Sequence, residues 1–235
     1  MSVASIKAHA DAIKAEADAL PAPGSPSLPA GVNCLCGTVP SIPSFTPWDG
    51  WSDAKVRHSR MQGDVEPGRI AFLGSSVTAS MNVARVHHAG VNWGIGGDTM
   101  RGLLNRMASL THLTTAGGVV LEVGINDAGY TAFADMEASI DKILGWLTGP
   151  LVMLSLIPQG NGYLSQGNLA AVNAMYAAKL AGRQNSVLVD ATAPLQDTDG
   201  FMKMSYSIGD RVHPNATGYG ILRAHMQAAL ASLGL

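Results

Sequence analysis

Charge is scarce in this chain of 235 residues: Asp, Glu, Lys and Arg make up 14% of it, against about 25% in ordinary soluble domains. Apolar residues make up 47%, and the combination excludes a largely disordered chain, which needs high charge and low hydrophobicity. The formal net charge is −2, so no basic footprint exists and nucleic acid is not an expected partner. Cysteine is nearly missing. Cys34 and Cys36 stand one residue apart, too close for an unstrained bridge. With no second pair and no histidine cluster beside them they do not make a metal-site pattern either. Long hydrophobic runs are missing too. No stretch approaches the roughly 18 uncharged apolar residues of a membrane-spanning helix, so no membrane span is expected. Lys7, Asp11, Lys14, Glu16 and Asp18 interrupt the first 20 residues, which excludes the unbroken apolar core of a secretory signal. The compartment is left open.

Proline is sparse overall, yet seven of the 12 prolines fall between Pro21 and Pro47. The expected organisation is a leader over residues 1–47 and a body over 48–235. Within the leader, Ile6, Ala10, Ile13, Ala17 and Leu20 lie on one helical stripe. Such a helix either docks on the body or anchors an oligomer or larger assembly. Residues 21–47 read as an extended linker, and residues 48–60 as a helix beside the body.

The body alternates strand and helix patterns. Short apolar runs at 69–73, 118–123, 151–157 and 186–189, with a weaker one at 86–91, predict strands. Helical spacing predicts helices at 101–113, 133–147, 169–180 and 216–233. Strands that are apolar on both faces, alternating with amphipathic helices, imply a parallel sheet covered on both sides. The expected fold is therefore a three-layer α/β/α sandwich, with its ligand site at the carboxyl ends of the strands.

Four motifs fall at those ends. After the first strand comes Gly74-Ser75-Ser76-Val77-Thr78. There Ser76 is either an N-cap or, with a base nearby, a nucleophile. Residues 92–99 (NWGIGGDT) lack the third glycine of a dinucleotide fingerprint. They form a plain tight loop or one that turns the Gly97 N–H toward a developing oxyanion. Asn126, in Gly124-Ile125-Asn126-Asp127, can supply a side-chain N–H to the same oxyanion, or form an Asx turn with Asp127 as a cap. Asp210-Arg211-Val212-His213 is the most specific of the four. A carboxylate three residues before an imidazole in one loop can accept its Nδ1 proton, fix the tautomer and aim Nε2 outward as a base. His58, His87 and His88 are expected to be surface or packing residues.

Taken together, residues 72–78, 92–99, 124–127 and 210–215 resemble the four blocks of the SGNH hydrolases, the GDSL esterase/lipase family. The resemblance spans roughly residues 69–232. It implies a flavodoxin-like sheet with Ser76 as nucleophile, His213 as general base and Asp210 as its orienting acid. The Ser76 N–H, Gly97 and Asn126 would line the oxyanion hole. No cofactor is implied. The family usually has aspartate before the nucleophile, and here that residue is Ser75. The stretch from Trp51 to Arg57-His58 is similar to an element ahead of the first block in acetylhydrolase-like members. The function expected is hydrolysis of a short acyl ester, plausibly O-acetyl on a carbohydrate. A lysophospholipase or thioesterase, or a glycan-binding module without turnover, are the alternatives.

Overall fold

Five short strands hydrogen-bond side by side in a computed structural model that describes residues 47–160 and 165–235. They are β1 (Ile70–Gly74), β2 (Gly90–Gly94), β3 (Gly118–Glu122), β4 (Leu151–Leu154) and β5 (Ser186–Val189). Every pairing is parallel and the order is β2-β1-β3-β4-β5. The helix expected in the first 20 residues, the linker up to residue 46 and both cysteines lie outside the described residues.

Alternation along each strand builds two separate cores. Ala71, Leu73, Val119, Leu121, Leu151 and Met153 face one layer. That layer is formed by α3 (Met100–Met107), α4 (Phe133–Trp146) and α5 (Gln166–Leu180). Ile70, Phe72, Val120, Val152 and Leu154 face the other, where α6 (Ala216–Ser232) packs through Leu222, Met226 and Leu230. The one-turn helix α2 (Ser76–Ala79) joins that side through Val77. An α/β sheet covered on both faces is thus the observed architecture. Helix α1 (Asp49–Met61) lies against α3 through Lys55, whose ammonium donates to Asn105. Among the described residues no helix is long and apolar enough to cross a membrane.

Several boundaries differ from expectation. The second strand was expected at 86–91 but pairs over Gly90–Gly94, while Val83–Arg85 forms a 3-10 turn. Gly94 explains the difference. A Cβ there would overlap the backbone nitrogen of Ala79, so the end of β2 requires glycine, a residue that otherwise argues against a strand. The helix at 101–113 ends at Met107 and continues as a 3-10 turn over Thr111–Thr114. The apolar run at 151–157 is extended only to Leu154.

Trp93 sits fully buried between two histidines, its ring 5.2 Å from His58 and 5.7 Å from His112. Burial, helped by Arg106 and Arg57 for His58 and by Arg69 for His112, lowers both imidazoles to about 4. A base whose folded value lies below its unfolded one stabilises the fold above the unfolded value and loses that contribution as pH falls. Each histidine should therefore cost on the order of 1–2 kcal/mol at pH 5 relative to pH 7.5. Urea unfolding of His112→Phe is expected to match the parent at pH 7.5 and to exceed it by about that amount at pH 5. An equal difference at both pH values would show that His112 is not held neutral.

Candidate active site

The site forms where β1, β2 and β3 end side by side. Strand β1 runs into Ser75, which leaves the sheet at φ −92° and ψ −148°, and the chain turns at once into α2 with Ser76 as its first residue. Being first, Ser76 has no intrahelical partner for its N–H, and no described residue accepts that hydrogen. The Gly97 N–H is likewise without an acceptor among the described residues. Gly97 has φ +74°, a backbone conformation that favours glycine. Asn126 uses one amide hydrogen to bond the Asp98 carbonyl at 2.8 Å, which leaves its second hydrogen for a ligand.

Opposite these donors stands the loop before α6. His213 Nε2 lies 3.0 Å from Ser76 Oγ, and His213 Nδ1 lies 2.6 Å from Asp210 Oδ2. The other carboxylate oxygen, Oδ1, accepts the N–H groups of Val212 and His213 at 2.9 Å each and the Ser207 hydroxyl at 3.1 Å. Burial alone would raise the Asp210 carboxyl, but the His213, Val212 and Ser207 donors together hold it well below the usual carboxylate range. It stays ionised and can stabilise an imidazolium. Asn215 caps α6 through the N–H groups of Thr217 and Gly218 and grips the carbonyls of Ser205 and Ser207. The structure therefore brings Ser76, His213 and Asp210 into one hydrogen-bonded chain. Chemically, this arrangement can move a proton from Ser76 to His213 while the serine attacks a carbonyl.

Beneath the site lies a network that the motifs did not disclose. Asp98 and Arg106 form a fully buried pair at 2.8 Å. The same guanidinium donates to the carbonyls of Trp93 at 2.6 Å and Gly74 at 3.2 Å. Trp51 Nε1 donates to Asp98 at 2.9 Å. The last residues of β1 and β2, the Gly97 loop and α1 are thus tied to one cation. Burial raises the Asp98 carboxyl, opposed by Arg106, Trp51 and the Thr99 N–H. Its neighbour Asp127 serves as a helix cap, one of the two readings its motif offered. It accepts the first N–H of α3 from Met100 at 3.0 Å, and burial raises it to about 6. Arg106 did carry a signal in the sequence, as a charge set among the apolar residues Leu103, Leu104 and Met107.

Of the remaining histidines, His58 packs on Trp93, and His87 and His88 stack at 4.6 Å. No group of three or more His, Cys, Asp or Glu among the described residues is arranged to hold a metal. A cavity of about 480 Å³ borders the Gly94–Gly96 segment and α1, lined in part by Trp48, Arg57, His58 and Asn92. It does not include Ser76, Asn126 or His213.

Known proteins share this fold. Solved structures similar to the chain include a GDSL-like lipase from Bacteroides thetaiotaomicron, with 18% identity and a TM-score of 0.64 over 77% of this chain and 98% of that one. A lipase/acylhydrolase from Enterococcus faecalis matches at 18% identity and TM-score 0.59, covering 71% of this chain and 96% of that one. An acetylxylan esterase from Geobacillus stearothermophilus matches at 19% and 0.55, covering 72% and 94%. At such identities they establish the SGNH hydrolase fold. Comparison with curated proteins gives no match. The model of one family matches residues 49–221, most of the chain: the protein belongs to the GDSL-like lipase/acylhydrolase family.

Proposed function

We propose that the protein is a serine esterase that removes a short acyl group, acetyl in the first instance, from an oxygen of a carbohydrate or similar polar carrier. The observation that carries this reading is the chain from Asp210 to His213 to Ser76, with hydrogen bonds of 2.6 Å and 3.0 Å, facing N–H groups left without acceptors.

In this mechanism His213 Nε2 takes the Ser76 hydroxyl proton as Oγ bonds to the ester carbon. The carbonyl oxygen becomes an oxyanion held by the N–H of Ser76, the N–H of Gly97 and the Asn126 amide. Collapse breaks the bond to the alcohol oxygen, which takes the proton from His213 and departs. Water then gives a proton to His213 and attacks the acyl-enzyme, releasing the carboxylic acid and restoring Ser76. The acetylxylan esterase among the similar structures supports the choice of acetyl and sugar.

A second reading has its own observation. Met204 and Ile208 are 55% and 67% exposed beside the Asp210 loop, a surface suited to an apolar acyl chain such as that of a lysophospholipid or long-chain thioester. Rates on p-nitrophenyl esters from two to twelve carbons, with acetate release from acetylated xylo-oligosaccharides, distinguish the readings. The expected result is kcat/KM highest on acetate and about tenfold or more lower by eight carbons, a discrimination of about 1.4 kcal/mol. A rise toward twelve carbons would favour the apolar substrate. Hydrolysis of none of these esters would leave a binding module.

A further inference from the structure

Strand β3 is apolar until its last residue, Glu122, which is 5% exposed. Oxygen Oε2 of this carboxylate accepts the Ser75 N–H at 2.9 Å, the Ser75 hydroxyl at 3.0 Å, the Thr78 hydroxyl at 3.1 Å and the Thr78 N–H at 3.4 Å. Oxygen Oε1 accepts the Ser75 hydroxyl at 2.9 Å. No Lys, Arg or His is ion-paired with Glu122 among the described residues. Burial pushes its carboxyl up, against the pull of these Ser75 and Thr78 donors. The approach depends on Gly74, where a Cβ would lie 2.8 Å from Glu122 Oε2 and overlap the Thr78 hydroxyl.

A buried acid without a cation costs several kcal/mol unless donors surround it. Its donors here come from Ser75 and Thr78, the residues on either side of Ser76-Val77. The Ser75 carbonyl accepts the Ala79 N–H at 2.9 Å, so it points along α2. In a trans peptide the N–H on the far side of that bond points the opposite way. That N–H belongs to Ser76. Holding Ser75 and Thr78 from below therefore fixes the direction in which Ser76 presents its donor.

We propose that Glu122 is a positioning residue, whose carboxylate clamps Ser75 and Thr78 so that the Ser75–Ser76 peptide aims its N–H at the oxyanion. The proposal rests on Ser76 being the nucleophile. Neither the substrate nor His213 needs to touch Glu122. Ser75 then has a role that an acid in its place would not fill in the same way: it donates to the clamp.

The test uses the full chain carrying Glu122→Gln, with every rate normalised to active sites titrated by a fluorophosphonate. The expected result is a kcat on p-nitrophenyl acetate lower by about 10- to 100-fold per titrated site, with KM within about twofold of the parent. The rate of phosphonylation should fall in parallel. A purely structural role would lower the number of titratable sites and leave kcat per site unchanged, which would overturn the proposal. Ser75→Ala, which removes one hydroxyl from the clamp and keeps its N–H, should lower kcat per site by about threefold or more. If Glu122→Gln does not fold, this variant decides, and parental kcat per site in it would overturn the clamp. A parent chain that is phosphonylated at no Ser76 would instead sink the nucleophile assignment, and the clamp with it.

Discussion

Replacing Ser76 by alanine is expected to lower kcat on p-nitrophenyl acetate by about 10⁴-fold or more, leaving only the contribution of binding and oxyanion donors. His213→Ala should cost a similar factor, because a serine hydroxyl is a weak nucleophile until its proton has somewhere to go. The Ser76→Ala/His213→Ala double variant should be no slower than either single one, since the two groups act as a unit. Asp210→Asn should keep the loop in place yet lose much of the rate. An amide in place of the carboxylate no longer selects the tautomer that leaves Nε2 free to accept the Ser76 proton. The Ser76 and His213 variants should unfold within about 1 kcal/mol of the parent, since neither side chain is fully buried. Parental turnover in Ser76→Ala would remove this residue from the mechanism.

The largest loss of stability is expected from Arg106→Met. The substitution removes the cation that pairs with Asp98 at 2.8 Å in full burial and strips a donor from the carbonyls of Gly74 and Trp93. Leaving a buried charge unpaired costs about 3–5 kcal/mol, a large share of the stability of an ordinary domain. Asp98→Asn in the same chain should restore part of it. The Asn side chain keeps an acceptor for Trp51 Nε1 without the charge, so a double-mutant cycle by urea unfolding should give a coupling of about 1–3 kcal/mol. Additive losses would mean that the pair is not coupled. Activity should fall with Arg106→Met in whatever protein remains folded, because the Asp98 carbonyl orients Asn126 and the Gly74 carbonyl precedes the nucleophile turn.

What the sequence disclosed and what it hid follow from the range of the interactions. Asp210 and His213 were legible because their contact is local, three residues apart in one loop. The strand at 118–122 was legible because burial on both faces leaves a continuous apolar run, whereas 186–189, half-buried up to Val189 at the sheet edge, showed only as a short Val-Leu-Val run. The second strand was displaced in expectation because Asn92-Trp93-Gly94 has the composition of a turn, and the need for glycine arises only from the approach of Ala79. Arg106 and Glu122 were harder to read. Both bond to groups more than 30 residues away in sequence, Gly74 in one case and Ser75 in the other. Each left one trace, a charge inside an apolar pattern. Such a charge must be compensated somewhere, but its partner is set by the sheet order rather than by spacing.

The loop before α6 has a consequence for how this family can diversify. Between Ser205 and Asn215 the acid, the base, the hydroxyl of Ser207 and the helix cap are bonded to one another. Contact with the nucleophile side passes through His213 to Ser76 and the Tyr219 hydroxyl to the Val77 carbonyl. The acid and base of the relay are thus joined within eleven consecutive residues, and Arg211 between them ties the loop to the long stretch after β4: its guanidinium bonds Asp199 and the Met202 carbonyl, and its own carbonyl accepts the Gly160 N–H. Insertions and substitutions over that stretch that spare these three contacts can reshape what meets the substrate while leaving the acid and base in place. Selection can then alter substrate choice and proton transfer as separate traits.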